Sequence, residues 1–187
     1  MTPALANQLE WLAWIVSWFT AALWSARAVA RAPKQAGYRV VIAAGAVLLF
    51  WPRLFRPIEI RLWRPAPVVA WLLVALAAVG FLFTWWARIH LGRLWSGQIT
   101  RKADHHIVDT GPYGLVRHPI YTGLILATLA TMGLYGTAAA VAGTGLMIAG
   151  YAIKARSEER FLREQLGRAE YDAYAARVPM LVPWLPA

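Results

Sequence analysis

The sequence predicts an all-α integral membrane protein with about five transmembrane helices and a cytoplasmic C-terminal helical segment. Of its 187 residues, 59% are hydrophobic and only 15% charged, against roughly 25% charged in a typical soluble domain. Eleven tryptophans suit the membrane-water interface. The formal charge of +10, from 19 Lys and Arg against 9 Asp and Glu, gathers at the ends of apolar runs. There it fits helix orientation and anionic headgroups, and nucleic acid is not expected as a partner. The absence of cysteine excludes disulfides, a thiol nucleophile and palmitoylation.

The first apolar run, about residues 9–30, contains Trp11, Trp14, Trp18 and Trp24 and is long enough to cross roughly 30 Å of hydrocarbon. No basic region precedes it, so it reads as a retained helix and not a cleaved signal. The second, about residues 40–51, is short unless its basic and aromatic flanks snorkel. The third, residues 67–86, is the clearest span. Between these two, residues 52–65 place Arg53, Arg56, Arg61 and Arg64 among Trp and Phe. This is read as an interfacial loop, with a lipid-headgroup clamp as its functional alternative.

Two further runs, residues 120–134 and 137–151, are rich in Gly, Ala and Thr. Small residues let helices approach closely in lipid, which predicts a tight helical hairpin. The last segment, residues 154–177, is charged and helix-prone, with Gly167 as its break. Glu158 and Glu159 fall just beyond the apolar run and are expected at the start of this helix. They either pair with Arg and Lys neighbours or meet a cationic ligand group. The chain reads as one domain, residues 1–187, with a three-helix part through residue 90.

The densest polar stretch lies between the third and fourth spans, from His105 to Gly123. Pro112 follows Gly111 in a turn, and Pro119 disfavours helix at His118 while suiting the first position of the next helix. Arg117 and His118 therefore sit just outside a helix N-terminus, where free N–H groups and the dipole favour an anion. An interfacial turn with an Arg anchor accounts for the same residues. His90 reads as an interfacial residue. Asp104, His105, His106 and Asp109 match no established zinc spacing and include no soft ligand, so no metal is expected.

The residues His105, Ile107, Val108, Gly111, Pro112, Tyr113, Arg117, His118, Pro119, Tyr121 and Gly123 resemble the integral-membrane methyltransferase family of isoprenylcysteine carboxyl methyltransferases and phospholipid methyltransferases. A second block follows in the same order: Glu158, Glu159, Arg160, Phe161, Leu162, Leu166, Gly167, Tyr171, Tyr174, Val178 and Pro179. The resemblance covers about residues 92–183. It implies an enzyme that uses S-adenosyl-L-methionine, most simply for carboxyl O-methylation of an isoprenylcysteine-like lipophilic acceptor on the cytoplasmic face.

By that resemblance His105, Ile107, Val108, Gly111, Tyr113, His118, Pro119 and Tyr121 line the cofactor site. Glu158 or Glu159 faces the cofactor's ammonium, with the larger effect expected at Glu159. Arg117 is the candidate for orienting an anionic acceptor or the cofactor carboxylate, with loop anchoring as its alternative. One departure is Met180, where many carboxyl methyltransferases of the family carry a basic residue. A phospholipid amine and a small thiol stay open as acceptors. So do an NADPH-dependent membrane reductase of the sterol-reductase type and a lipid-binding scaffold. The partners expected are the methyl acceptor and membrane lipids, with no protein partner evident.

Overall fold

Thr2 and Pro3 start the first helix, α1 (Pro3–Ala22), by ordinary capping chemistry. The Thr2 hydroxyl accepts from the Leu5 N–H at 3.3 Å, and proline stands in the first turn, where its missing N–H costs nothing. The computed structural model describes residues 1–23, 28–31, 36–51, 60–96, 100–102 and 107–185. His105, with Asp104 and His106, lies outside the described residues, as do Arg53 and Arg56.

The expected run of helix to residue 30 is corrected. At 20 residues and 1.5 Å per residue, α1 already covers about 30 Å. Beyond it the chain forms a short strand, β1 (Ala28–Arg31), antiparallel to β2 (Thr100–Lys102). Outside the hydrocarbon, inter-strand bonds satisfy the backbone as well as helical ones do. This two-stranded sheet is an addition to the expected all-α class.

The remaining helices are α2 (Ala36–Phe50), α3 (Pro67–Leu91), α4 (Pro112–Leu115), α5 (Pro119–Tyr135), α6 (Ala138–Leu166) and α7 (Arg168–Ala175). Among the described residues, two segments are long and apolar enough to cross a membrane, Pro67–Leu94 and Ala138–Leu166, and α2 and α5 are shorter apolar helices.

The small residues of the expected hairpin do pack closely, but mainly on other helices. A Cβ on Gly80 of α3 would lie 2.6 Å from the Gly123 carbonyl of α5, and one on Gly45 of α2 would lie 2.6 Å from the Gly143 carbonyl of α6. Glycine is therefore required at each crossing for the backbones to touch. Helix α1 fastens to this bundle through its tryptophans. Trp11 Nε1 donates to Thr131 Oγ1 at 2.9 Å and Trp14 Nε1 to Thr84 Oγ1 at 2.7 Å, which pairs indole N–H groups that lipid leaves without partners. Arg88, fully buried in the last turn of α3, donates to the Ala21 carbonyl at 2.6 Å and covers the Trp95 ring at 3.7 Å. It locks the ends of α1 and α3 together.

A second correction concerns the C-terminal part. No new helix begins at Glu158 and Glu159, because α6 runs unbroken from Ala138 to Leu166. Residues 152–166 contain no Gly or Pro, and their Ala, Lys, Arg and Glu are good helix formers. Gly167, at φ 110°, makes the break that was expected there.

Candidate active site

The acidic pair of α6 lands on the turn that opens α5. Arg117 and His118 precede Pro119, the first residue of a helix with no side-chain cap. Glu159 Oε1 accepts from Arg117 Nε at 2.7 Å and meets His118 Nε2 at 3.1 Å, while its Oε2 lies 3.4 Å from Arg117 Nη2. The side chains of Arg117 and Glu159 are only 10% and 16% exposed. Arg117 Nη1 also donates to the carbonyls of Ala175 and Val178. Every nitrogen of the guanidinium is thus engaged, and the planar fork ties the start of α5, α6, the end of α7 and the segment after it into one unit.

Glu158 points along a different direction, as adjacent helical positions must. One of its oxygens accepts from Tyr121 Oη at 2.6 Å. The Tyr121 ring stacks between His118, at 5.3 Å, and Tyr151, at 6.0 Å, both within 11° of parallel. Lys154 Nζ sits 5.2 Å over Tyr121 and 5.6 Å over the Tyr38 ring of α2, a distance at which a ring face attracts a cation. A carboxylate beside aromatic ring faces is a set of groups that can meet a cation.

A second wall comes from the turn before α5. Gly111 has φ 56°, and a Cβ there would lie 2.7 Å from His90 Cε1. The positive φ favours glycine, and a Cβ there would also push the His90 ring aside. His90 stacks on Tyr113 at 6.4 Å and its Nε2 lies 2.9 Å from Thr110 Oγ1. Its place is thus to brace the turn. Tyr174 Oη donates to the Tyr113 carbonyl at 2.8 Å, and burial pushes the Tyr174 hydroxyl well above its usual range, so it stays a donor. Tyr171, Tyr174 and Val178 form a small core that Ile107 packs against, and Val108 next to it is half-buried. Burial, with the nearby Glu158 charge, likewise raises the Tyr113 phenol.

The structure therefore gathers Arg117, His118, Pro119, Tyr121, Glu158 and Glu159 at one end of the bundle, with Ile107, Val108, Gly111 and Tyr113 beside them. Three contributors were missed: Tyr38, Tyr151 and Lys154. Tyr151, Lys154 and Glu158 follow one another at helical spacings of three and four, the pattern of a shared face. Reading a helix end near Tyr151 hid it. Tyr38 carries no comparable signal.

Most of these residues lie within the stretch that a family model matches. Residues 71–164 match the model of the isoprenylcysteine carboxyl methyltransferase (ICMT) family. The chain belongs to this family. Methanethiol S-methyltransferase 2 of Bradyrhizobium diazoefficiens is 31% identical over 183 residues, 87% of this chain and 64% of that protein. Protein-S-isoprenylcysteine O-methyltransferase B of Arabidopsis thaliana is 33% identical over 89 residues, 47% of this chain and 45% of that one. The chain thus spans between about half and two thirds of the length of these relatives. The solved structure of the eukaryotic intramembrane Ras methyltransferase ICMT, 18% identical, superimposes with a TM-score of 0.54 over 82% of this chain and 54% of that one. The ICMT family member described here shares that fold and is an integral membrane protein.

Proposed function

We propose that this ICMT family member is an S-adenosyl-L-methionine-dependent membrane methyltransferase whose cofactor lies between the Arg117–Tyr121 turn and Glu158. The observation that carries the reading is the Glu158–Tyr121–His118 arrangement: an acidic group beside stacked rings, at the mouth of an uncapped helix. That donor set fits the cofactor's chemistry. A carboxylate suits its ammonium, ring faces suit a sulfonium or a base, and the N-terminal amides of α5 suit its carboxylate. Ile107, Val108, Gly111, Tyr113 and Pro119 form the turn around it, and His105 is assigned there by resemblance. Bound, the cofactor supplies an activated methyl group for displacement by an acceptor nucleophile. The protein's own contribution is to hold acceptor and methyl donor in line and exclude water, an effect worth roughly 7 to 11 kcal/mol.

For the acceptor we assign carboxyl O-methylation of an isoprenylcysteine-like lipid. A carboxylate with a solution pKa of about 4 is already ionised and requires no general base. Thiol S-methylation is the second reading, favoured by a specific observation. The methanethiol S-methyltransferase match runs along 87% of the chain, while Arg117 is already committed to Glu159 and Met180 supplies no charge. Purified protein with methyl-labelled cofactor and a panel of prenylcysteine, phospholipid amine and small thiols decides between them. Label in the prenylcysteine ester is expected. Label only in a thiol moves the assignment to the second reading, and label in none of them defeats the methyltransferase reading.

The topology proposed has five spans, α1, α2, α3, α5 and α6, with the N-terminus outside and the catalytic face and C-terminus in the cytoplasm. Residues 27–39, 88–117 and the tail from Lys154 carry 4, 5 and 6 basic residues, against 4 between Arg53 and Arg64, the asymmetry that the positive-inside rule expects. Backbone pairing supports the grouping of loops. Leu62 N–H donates to the Gly136 carbonyl at 2.8 Å and Trp63 Nε1 to the Gly133 carbonyl at 2.7 Å, joining the α2–α3 loop to the α5–α6 turn. The β1–β2 pair joins two of the other loops. Single cysteines placed at Asp104 and Asp172 should label from the same side; labelling from opposite sides would rule out this arrangement.

A further inference from the structure

After α7 the chain turns back along the start of α5 and descends beside it. Arg117 N–H donates to the Pro179 carbonyl at 2.8 Å, His118 N–H to the Met180 carbonyl at 3.1 Å, and Thr122 Oγ1 to the Leu181 carbonyl at 2.6 Å. Three successive carbonyls thus follow α5 from just before its first residue to a position about 6 Å further in. Pro119 opens that helix and apolar residues follow, so the direction of travel is toward hydrocarbon.

Met180 and Leu181 pack against the core that contains Tyr121 and Tyr151. The next residues do not. Val182, Trp184 and Leu185 are 53%, 92% and 57% exposed, and Trp184 adopts φ 64°, a left-handed conformation sterically disfavoured for a side chain of that size. An aromatic residue at 92% exposure gains little from the protein that would offset this. The composition, Val-Pro-Trp-Leu, is that of an interfacial anchor, since Trp prefers the level of the headgroups.

We infer that residues 182–185 form a lipid-embedded strap: Trp184 and its apolar neighbours insert into the interfacial zone of the bilayer beside α5, holding the Arg117–His118 turn at the membrane surface. The occupant of this apolar surface is the lipid leaflet. The strap rests on the reading of α5 as a membrane span whose first turn lies at the interface, and not on the identity of the cofactor or acceptor.

The natural sequence has no cysteine, so the variant Leu185→Cys, carrying an environment-sensitive fluorophore and retaining Trp184, reports on this segment alone. In proteoliposomes its emission should shift to the blue. Lipids with a nitroxide near the headgroup should quench it more strongly than lipids with one deep in the acyl chain, and aqueous iodide should leave it largely unquenched. Asp172→Cys, at an exposed position of α7, and Leu72→Cys, on the outer face of α3, give the aqueous and lipid-facing references. Adding Trp184→Asp to Leu185→Cys should restore iodide quenching to at least half that of the Asp172 site. Iodide quenching of Leu185→Cys in the otherwise natural chain overturns the proposal. So does protection from both quenchers, which would mean that protein covers the segment, and so does indifference to Trp184→Asp. None of these readings depends on methyl transfer.

Discussion

Replacing Arg117 by alanine should destabilise the protein by about 3–5 kcal/mol, the cost of leaving one partner of a buried ion pair unmatched. Glu159 is 16% exposed and would keep a charge with only His118 beside it. The carbonyls of Ala175 and Val178, which Arg117 Nη1 serves, would lose a donor as well. The double variant Arg117→Ala with Glu159→Gln should recover part of the loss, because it removes the stranded charge. Arg117→Lys should recover less than its charge suggests, since an ammonium cannot span a carboxylate and two carbonyls at once. Denaturant titration in detergent micelles measures all three. If Arg117→Ala costs under about 1 kcal/mol, as an exposed pair would, and acceptor turnover collapses instead, then Arg117 has the acceptor-orienting role that the sequence also allowed.

Glu158→Gln should weaken binding of S-adenosylhomocysteine by about tenfold to a hundredfold, the equivalent of roughly 1.5 to 3 kcal/mol for a charge-assisted hydrogen bond. The amide keeps the shape and a carbonyl for Tyr121 Oη to donate to, so the fold should survive. The assignment differs from the sequence expectation, which favoured Glu159. Glu159 is occupied by Arg117 and His118, and its loss should appear first as lost stability. Glu158 spends one oxygen on Tyr121 and stands beside the ring column, which makes it the carboxylate placed to meet an ammonium.

The particular elements show why some of this was legible and some was not. Apolar runs of the right length located the helices, and Pro119, Gly111 and Gly167 marked turns because each acts through local backbone geometry that no tertiary context overrides. The start of α1 was legible too, in Thr2 and Pro3, but hydropathy placed it later. Pairing between β1 and β2 was not legible, since each strand is three or four residues long and gains its partner about 70 residues away. Nor was the partition of the two glutamates, because it depends on the rotational phase of α6 relative to α5. The contacts that fix each helix, Gly143 of α6 on Gly45 of α2 and Gly123 of α5 on Gly80 of α3, appear in the sequence only as small residues. The commitment of Arg117 to the backbone after α7 depends in turn on the break at Gly167.

Glu158 and the aromatic column are proposed to hold S-adenosyl-L-methionine. Calorimetric titration of S-adenosylhomocysteine into the wild-type protein and into Glu158→Gln, in the same detergent, tests it most directly. Saturable binding to the wild type, weakened about tenfold or more in the variant, is the predicted result. Equal affinity in both proteins with the fold intact would remove Glu158 from the site, and the absence of binding to the wild type would contradict the claim itself.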